Sequence, residues 1–177
     1  MNFLTNTKPY ATIFTICVSA VVYFLQTQYD FMSAAFGLNI YFLQGAYWQP
    51  LSTIFVHGGL MHLAMNMVVL FQFGTLIEAA RGKLFFVLLY YVGGIATSLI
   101  TYAFIYSFDM NVNVVGASGA ICVIIGWIAQ KDKFNRQGLV IAILLISFLP
   151  LLAGMNIAWY AHIIGFGVGW LIGKTLR

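Results

Sequence analysis

Long apolar runs recur along this chain and are separated by short clusters of charged residues. A membrane helix needs about 20 mostly apolar residues to cross a hydrocarbon core of roughly 30 Å, and six segments approach that length. They extend approximately over Tyr10–Gln28, Leu60–Ile77, Leu84–Tyr106, Val114–Gln130, Gly138–Ala153 and Ile157–Leu176. The pattern predicts an all-α, polytopic membrane protein, with a single six-helix transmembrane domain over residues 1–177.

Composition excludes the other broad classes of protein. Of the 177 residues, 62% are hydrophobic and 7% are charged, which is too little polar surface for a soluble globule and too apolar for a disordered chain. Cys17 and Cys122 are too few for a disulfide framework or a cysteine-rich metal site. The net charge of +4 comes from short basic clusters and forms no basic stripe, so we expect no nucleic-acid partner.

The basic residues predict an orientation in the membrane. The eight Lys and Arg residues all lie on one side of the predicted helices: Lys8, Arg81, Lys83, Lys131, Lys133, Arg136, Lys174 and Arg177. The positive-inside rule makes that side cytoplasmic. The other side carries Asp30 and Asp109 and faces out, and an even number of helices then places both termini inside.

The connection between the first two predicted helices is too apolar and aromatic for a solvated loop. It runs from Asp30 to Gly59 and is broken by Gly37, Gly45 and Pro50. Aromatic side chains favour the membrane interface, where irregular backbone is tolerated if it is buried against protein. We therefore expect a long interfacial loop on the outer side.

Polar residues of alternate helices are predicted to meet near the outer face. His57, His62 and Asn66 mark the beginning of the second helix, Ser118 that of the fourth and His162 that of the sixth. Ionisable residues at membrane depth usually face the bundle interior or a water-filled cavity. Their convergence therefore predicts a functional site, and it includes all three histidines of the chain.

Small residues would allow the fourth and sixth helices to approach closely. Ser118 lies between small residues, and the sixth helix repeats them every four positions, at Ala161, Gly165, Gly169 and Gly173. If these helices pack together, the Ser118 hydroxyl and the His162 ring come within hydrogen-bond reach, as in a nucleophile and its base. His62 and Asn66, four residues apart on one helix face, are suitable donors to an oxyanion.

The joint pattern resembles the rhomboid family of intramembrane serine proteases, in its minimal six-helix form. It consists of His57-x4-His62-x3-Asn66, Gly116-x-Ser118-Gly119 and Ala161-His162-x2-Gly165-x3-Gly169, in that order. The resemblance implies a serine–histidine dyad without an acidic third member. It also implies that the protein cleaves transmembrane or juxtamembrane segments of other membrane proteins within the lipid bilayer, with no cofactor or metal.

The resemblance also assigns roles to individual residues. Ser118 would be the nucleophile and His162 the general base. The oxyanion hole would consist of His62, Asn66 and the backbone N–H of Ser118, and His57 would support this end of the second helix. The long first loop resembles the family's membrane-embedded loop, and the fifth helix resembles its lateral gate.

This chain departs from the family pattern at a few positions. The family often has Trp-Arg in the first loop, where this chain has Trp48-Gln49 and lacks the charged anchor. Many members place an aromatic residue four positions after the nucleophile, to stack on the base, where this chain has Cys122. Arg81 follows Glu78 by three positions, whereas the family often has the arginine one position earlier; here the two residues suggest a local ion pair or headgroup contact.

Two other functions compete with proteolysis. One is a catalytically inactive rhomboid-like protein that binds membrane clients, although such relatives typically lack the serine or the histidine. The other is a transport or cofactor protein with the histidines as metal or haem ligands, but the chain has no H-E-x-x-H motif. The small size favours a prokaryotic plasma membrane as the location, with an organellar membrane as the alternative.

Overall fold

The structure is a computed structural model that describes residues 8–152, 154 and 156–175, and within those ranges it contains helices and no β-strand. The elements are α1 (Tyr10–Gln28), α2 (Phe31–Phe36), a 3-10 helix (Ile40–Gln44), α3 (Gln49–Ser52), α4 (Leu60–Arg81), α5 (Lys83–Val87), a π-helix (Leu88–Val92), α6 (Gly93–Ser107), α7 (Ser118–Lys131), α8 (Arg136–Leu152) and α9 (Trp159–Thr175). The segment from α5 through α6 is continuous.

Three of the helical segments are long and apolar enough to cross a membrane: Tyr10–Gln28, Lys83–Ser107 and Leu60–Arg81. The apolar helices α7 and α8 are shorter. Large apolar side chains point outward, as at Phe14, Val68 and Leu88, which are 65%, 65% and 51% exposed. Because lipid, unlike water, is a good solvent for such a surface, the chain is an integral membrane protein.

Each predicted apolar segment contains one long helix. The first has the predicted bounds, whereas α7 begins at Ser118 and not at Val114. Val114 instead exchanges backbone hydrogen bonds with Leu38, and Gly116 has a φ of +125° that a helix does not permit. The predicted helix ends at Ala153 and Leu176 lie outside the described residues.

Helix α7 is the centre of the fold. All of its residues from Ala120 to Ala129 are buried, so it is surrounded by protein on every side. It packs most closely against α9, where Cβ atoms added at Gly126 and Gly169 would collide with the carbonyls of Phe166 and Val123. Close backbone contact between small residues is the usual way to join membrane helices, and it fixes α7 and α9 relative to each other.

The proposed ion pair between Glu78 and Arg81 is not what the structure contains. The Glu78 carboxylate is buried and accepts hydrogen bonds from the backbone N–H groups of Ala11 and Thr12 and from the Thr12 hydroxyl. The Arg81 guanidinium lies over the rings of Phe85 and Trp127. A carboxylate at a helix N-terminus satisfies unpaired amides and interacts favourably with the helix dipole, so Glu78 joins α4 to α1.

The first loop, residues 29–59, is folded into short helices and turns around a pair of side-chain amides. Gln49 is fully buried; its Oε1 accepts from the Asn39 backbone N–H at 3.2 Å, and its Nε2 donates to Asn39 Oδ1 at 3.1 Å. Asn39 in turn donates to Asn113 Oδ1 at 2.8 Å. A neutral amide therefore anchors this loop at the position where the family often has arginine.

Candidate active site

Ser118 is the first residue of α7 and follows a sharply bent connection. The N–H of Gly116 donates to the carbonyl of Thr53 at 3.0 Å, and the Thr53 hydroxyl donates to the carbonyl of Val114 at 2.6 Å. These bonds hold the connection against the first loop. Ser118 is half-buried, and its backbone N–H, at the start of a helix, has no partner within that helix.

His162 lies in the first turn of α9 and contacts Ser118. Its Nε2 is 2.9 Å from Ser118 Oγ, and only 9% of His162 is exposed. The two side chains that the sequence places on different helices are thus hydrogen-bonded. A serine that donates its proton toward an imidazole nitrogen has the geometry of a nucleophile and general base.

The other nitrogen of the His162 ring contacts a residue that sequence reasoning missed. Ser147 of α8 is fully buried, and its Oγ is 3.3 Å from His162 Nδ1. In sequence, Ser147 is one small polar residue inside an apolar run, and its only signal is that polarity.

The His62 ring lies beside the connection to Ser118. Its Nδ1 is 3.3 Å from the backbone N–H of Gly58, which can only donate, so neutral His62 carries its hydrogen on Nε2. A Cβ added at Gly116 would lie 2.9 Å from His62 Nε2 and 3.7 Å from Ser118 Oγ. The donor nitrogen of His62 and the serine hydroxyl therefore both lie within 4 Å of one point beside Gly116.

Asn66 is buried one turn further along α4. Its Nδ2 donates to the carbonyl of His62 at 2.8 Å, so the side-chain amide folds back along its own helix. An amide nitrogen carries two hydrogens, and this bond uses one of them. Asn66 is therefore close to the site without a direct bond to Ser118 or His162.

The ring of His57 contacts the backbone of the connection that leads to Ser118. Its Nδ1 lies 3.0 Å from the Phe55 carbonyl and its Nε2 accepts from the Ala117 N–H at 3.4 Å. Gln26 of α1, also missed by sequence reasoning, exchanges hydrogen bonds with the His57 backbone. Burial lowers the pKa of His57 to about 4, against the opposing hydrogen bond to Phe55 and with a smaller lowering by His62, so the ring is neutral near pH 7.

Small residues hold the two catalytic candidates at this distance. A Cβ on Gly165 would collide with the carbonyl of Gly119, and one on Gly119 would lie 3.3 Å from Thr97 Cγ2. Within the described ranges no group of three or more His, Cys, Asp or Glu residues is arranged to hold a metal ion. The arrangement offers a nucleophile, a base and nearby N–H donors.

The fold and the site together define a helical integral membrane protein with a hydrogen-bonded serine–histidine pair at the start of α7 and α9. The Rhomboid domain family matches residues 44–177, and the chain belongs to the rhomboid family.

Relatives at low identity include several that are named proteases. The chain is 32% identical over 137 residues to RHOMBOID-like protein 4 of Arabidopsis thaliana, covering 73% of this chain but only 34% of that protein. It is 29% identical over 143 residues to Putative rhomboid protease YdcA of Bacillus subtilis, covering 77% of this chain and 70% of that one. It is 26% identical over 135 residues to Rhomboid protease GlpG of Haemophilus influenzae, covering 71% and 68%.

Proposed function

We propose that this protein is an intramembrane serine endopeptidase that cleaves transmembrane or juxtamembrane segments of other membrane proteins. The observation that carries the proposal is the 2.9 Å contact between Ser118 Oγ and His162 Nε2. Membership of the rhomboid family and the protease names of several relatives support it.

In the proposed reaction Ser118 Oγ attacks the scissile carbonyl carbon while its proton moves to His162 Nε2. The peptide C–N bond then breaks, and the same proton passes to the leaving amine. Water, deprotonated by His162, then attacks the acyl carbonyl carbon, the ester C–O bond to Ser118 breaks, and His162 returns the proton to Ser118 Oγ as the carboxylic acid product leaves. Serine needs such a base because its hydroxyl is a weak nucleophile, and imidazole accepts protons near neutral pH.

The oxyanion of the tetrahedral intermediate needs donors placed in advance. We assign this role to the Ser118 backbone N–H, to His62 Nε2 and to the second amide hydrogen of Asn66. Ser118 begins α7, so its N–H lies at the positive end of the helix dipole. Each such donor contributes about 3 to 4 kcal/mol to transition-state stabilisation in soluble enzymes.

The proposed arrangement in the membrane is based on the positions of the Lys and Arg residues. Six helices cross the bilayer as one domain, both termini are cytoplasmic, and the Ser118 site opens toward the outer face of a prokaryotic plasma membrane. Helix α8 forms the lateral gate through which a substrate helix enters. Water for the hydrolytic step enters from the outer face. A site at the bilayer centre would have no access to this water.

A serine-reactive fluorophosphonate probe tests the proposal without a known substrate. Purified wild type in detergent should be labelled on Ser118, as located by peptide mapping, whereas Ser118→Ala and His162→Ala should not be labelled. An active rhomboid protease labelled in the same detergent is the positive control. If wild type stays unlabelled while the control reacts, the inactive, client-binding alternative replaces this proposal.

A further inference from the structure

Only one of the two ring nitrogens of His162 takes part in the contact with Ser118. When Ser118 donates to Nε2 of a neutral imidazole, the ring hydrogen must be on Nδ1. His162 is only 9% exposed, and a buried N–H without an acceptor is destabilising. The atom that accepts from Nδ1 therefore decides which tautomer the base adopts and how its ring is oriented.

No carboxylate is placed to be that acceptor. The chain has four acidic residues in all. Glu78 is bonded to the start of α1, and Asp132 to Asn135. Asp30 and Asp109 are exposed in connections between helices.

Stacking on an aromatic ring is not available either at the position where the resemblance predicts one. Cys122 occupies that position and is 1% exposed. A cysteine side chain offers no ring face to an imidazole. His162 thus has neither a carboxylate partner nor an aromatic ring at position 122 to restrain its orientation.

Ser147 Oγ lies 3.3 Å from His162 Nδ1. Only two residues of α8 are buried, Ile143 and Ser147, and they are four residues apart on one face. One of the two buried positions of α8 is thus a hydroxyl at the free nitrogen of the base. A packing role alone would be served as well by alanine, and a fully buried hydroxyl is retained at little cost only if it is hydrogen-bonded.

We propose that Ser147 is the positioning residue for the catalytic base: its Oγ accepts a hydrogen bond from His162 Nδ1–H and thereby fixes the tautomer that leaves Nε2 free to accept the Ser118 proton. The inference rests on the proposed protease function. It makes the base depend on α8, because the hydroxyl that orients His162 comes from the helix assigned as the gate.

Three variants separate positioning from packing. Ser147→Ala removes the acceptor, and Ser147→Thr restores a hydroxyl. Ser19→Ala is the matched control, since Ser19 is also a fully buried helical serine, and its hydroxyl donates to the Thr15 carbonyl in α1, away from the dyad. The melting temperature of each variant in detergent establishes that it is folded.

The first readout is the tautomer itself, measured by 15N NMR of protein labelled at histidine. The chain has three histidines, so single His57→Gln and His62→Ala variants suffice to assign the signals. Wild-type His162 should be protonated at Nδ1. Ser147→Ala should give a mixture of tautomers, while Ser147→Thr and Ser19→Ala should keep the wild-type form. An unchanged tautomer in Ser147→Ala overturns the proposal, and this readout does not require activity.

The second readout is the kinetics of fluorophosphonate labelling. We expect the maximal rate of Ser118 labelling to fall about tenfold in Ser147→Ala with the half-saturating probe concentration unchanged, since a lost hydrogen bond to the base affects the reaction more than probe binding. Ser147→Thr should recover most of that rate. Unlabelled wild type would contradict the protease function, whereas labelled wild type and an equally fast Ser147→Ala would contradict only the role of Ser147.

Discussion

Gly165 of α9 packs against the backbone carbonyl of Gly119 in α7, so closely that a Cβ at position 165 would collide with that oxygen. Gly119 directly follows Ser118, and Gly165 lies one turn after His162 on the same helix face. The contact between two glycine backbones therefore sets the distance between the serine hydroxyl and the imidazole.

Gly165→Ala should accordingly separate the two helices and weaken the dyad. Overpacking of a close contact costs about 1 to 3 kcal/mol, and we expect a lower melting temperature together with at least about tenfold slower Ser118 labelling. Gly167→Ala is the matched control, because a Cβ at Gly167 would meet no atom within 4 Å. Equal labelling of Gly165→Ala and Gly167→Ala would show that this contact does not set the dyad geometry.

Gly116→Ala tests the placement of His62. Gly116 has a φ of +125°, and a Cβ there would lie 2.8 Å from His62 Cε1, so alanine would both strain the backbone and displace the ring. Gly45→Ala shares the strain, with a φ of +111°, but meets nothing within 4 Å. Both variants should lose about 1 to 2 kcal/mol of stability, while only Gly116→Ala should lose Ser118 labelling. A similar loss of labelling in both would argue against a specific role for His62.

The long helices were predictable because their signal is local. An apolar run of membrane-crossing length needs no knowledge of the rest of the chain, and α1 has the predicted bounds. The start of α7 was less predictable because two features outside the helix determine it. These are the pairing of Val114 with Leu38 and the positive φ of Gly116.

The residues of the candidate site also differ in how predictable they were from the sequence. Ser118, His162, His62 and Asn66 stand out in sequence because they are polar, regularly spaced and near the start of apolar segments. Ser147 does not, since a single serine in an apolar helix is typical of ordinary packing. Its contact with His162 depends on which face of α8 is turned inward, which hydropathy alone does not give when the flanking residues are all apolar.

Gln49→Ala should loosen the first loop without affecting the long helices. The substitution leaves the buried Asn39 N–H without its acceptor, at a cost of about 1 to 3 kcal/mol. It also removes one of the two donors to Asn39 Oδ1, which keeps its hydrogen bond from the Tyr41 N–H. Hydrogen–deuterium exchange of residues 37–50 should rise, while exchange in α4 and α7 stays at the wild-type level. Gln44→Ala, in the same loop but exposed, should change neither, and similar exchange in the two variants would contradict the anchoring role of Gln49.

Glu78→Ala should destabilise the fold more than a substitution that removes only one of the hydrogen-bond donors to Glu78. It leaves the N–H groups of Ala11 and Thr12 and the Thr12 hydroxyl without an acceptor. We expect a large fall in melting temperature, a smaller one for Glu78→Gln, which keeps an acceptor oxygen, and the smallest for Thr12→Val, which removes one donor. Equal melting temperatures of Glu78→Ala and Thr12→Val would indicate that the backbone bonds contribute little.

His57 should make stability depend on pH. Its pKa is about 4 in the folded protein because it is buried, against about 6.5 for an exposed histidine. Between these values only the unfolded chain binds the proton, so the free energy of unfolding falls as pH drops from about 6.5 and levels off near 4. Above pH 6.5 the ring is neutral in both states and the stability contribution is fully present.

The measurement is the melting temperature of wild type and His57→Gln as a function of pH. Glutamine cannot titrate, and its amide can still accept from the Ala117 N–H, the bond that protonated His57 would lose. Wild type should therefore lose more stability than His57→Gln between pH 6.5 and 4. His62 and His162 are present in both proteins, so their own titration cancels in the comparison, and the difference contains the titration of His57 together with its coupling to His62. Parallel curves of melting temperature against pH for the two proteins would show that burial does not lower the pKa of His57 in the folded state.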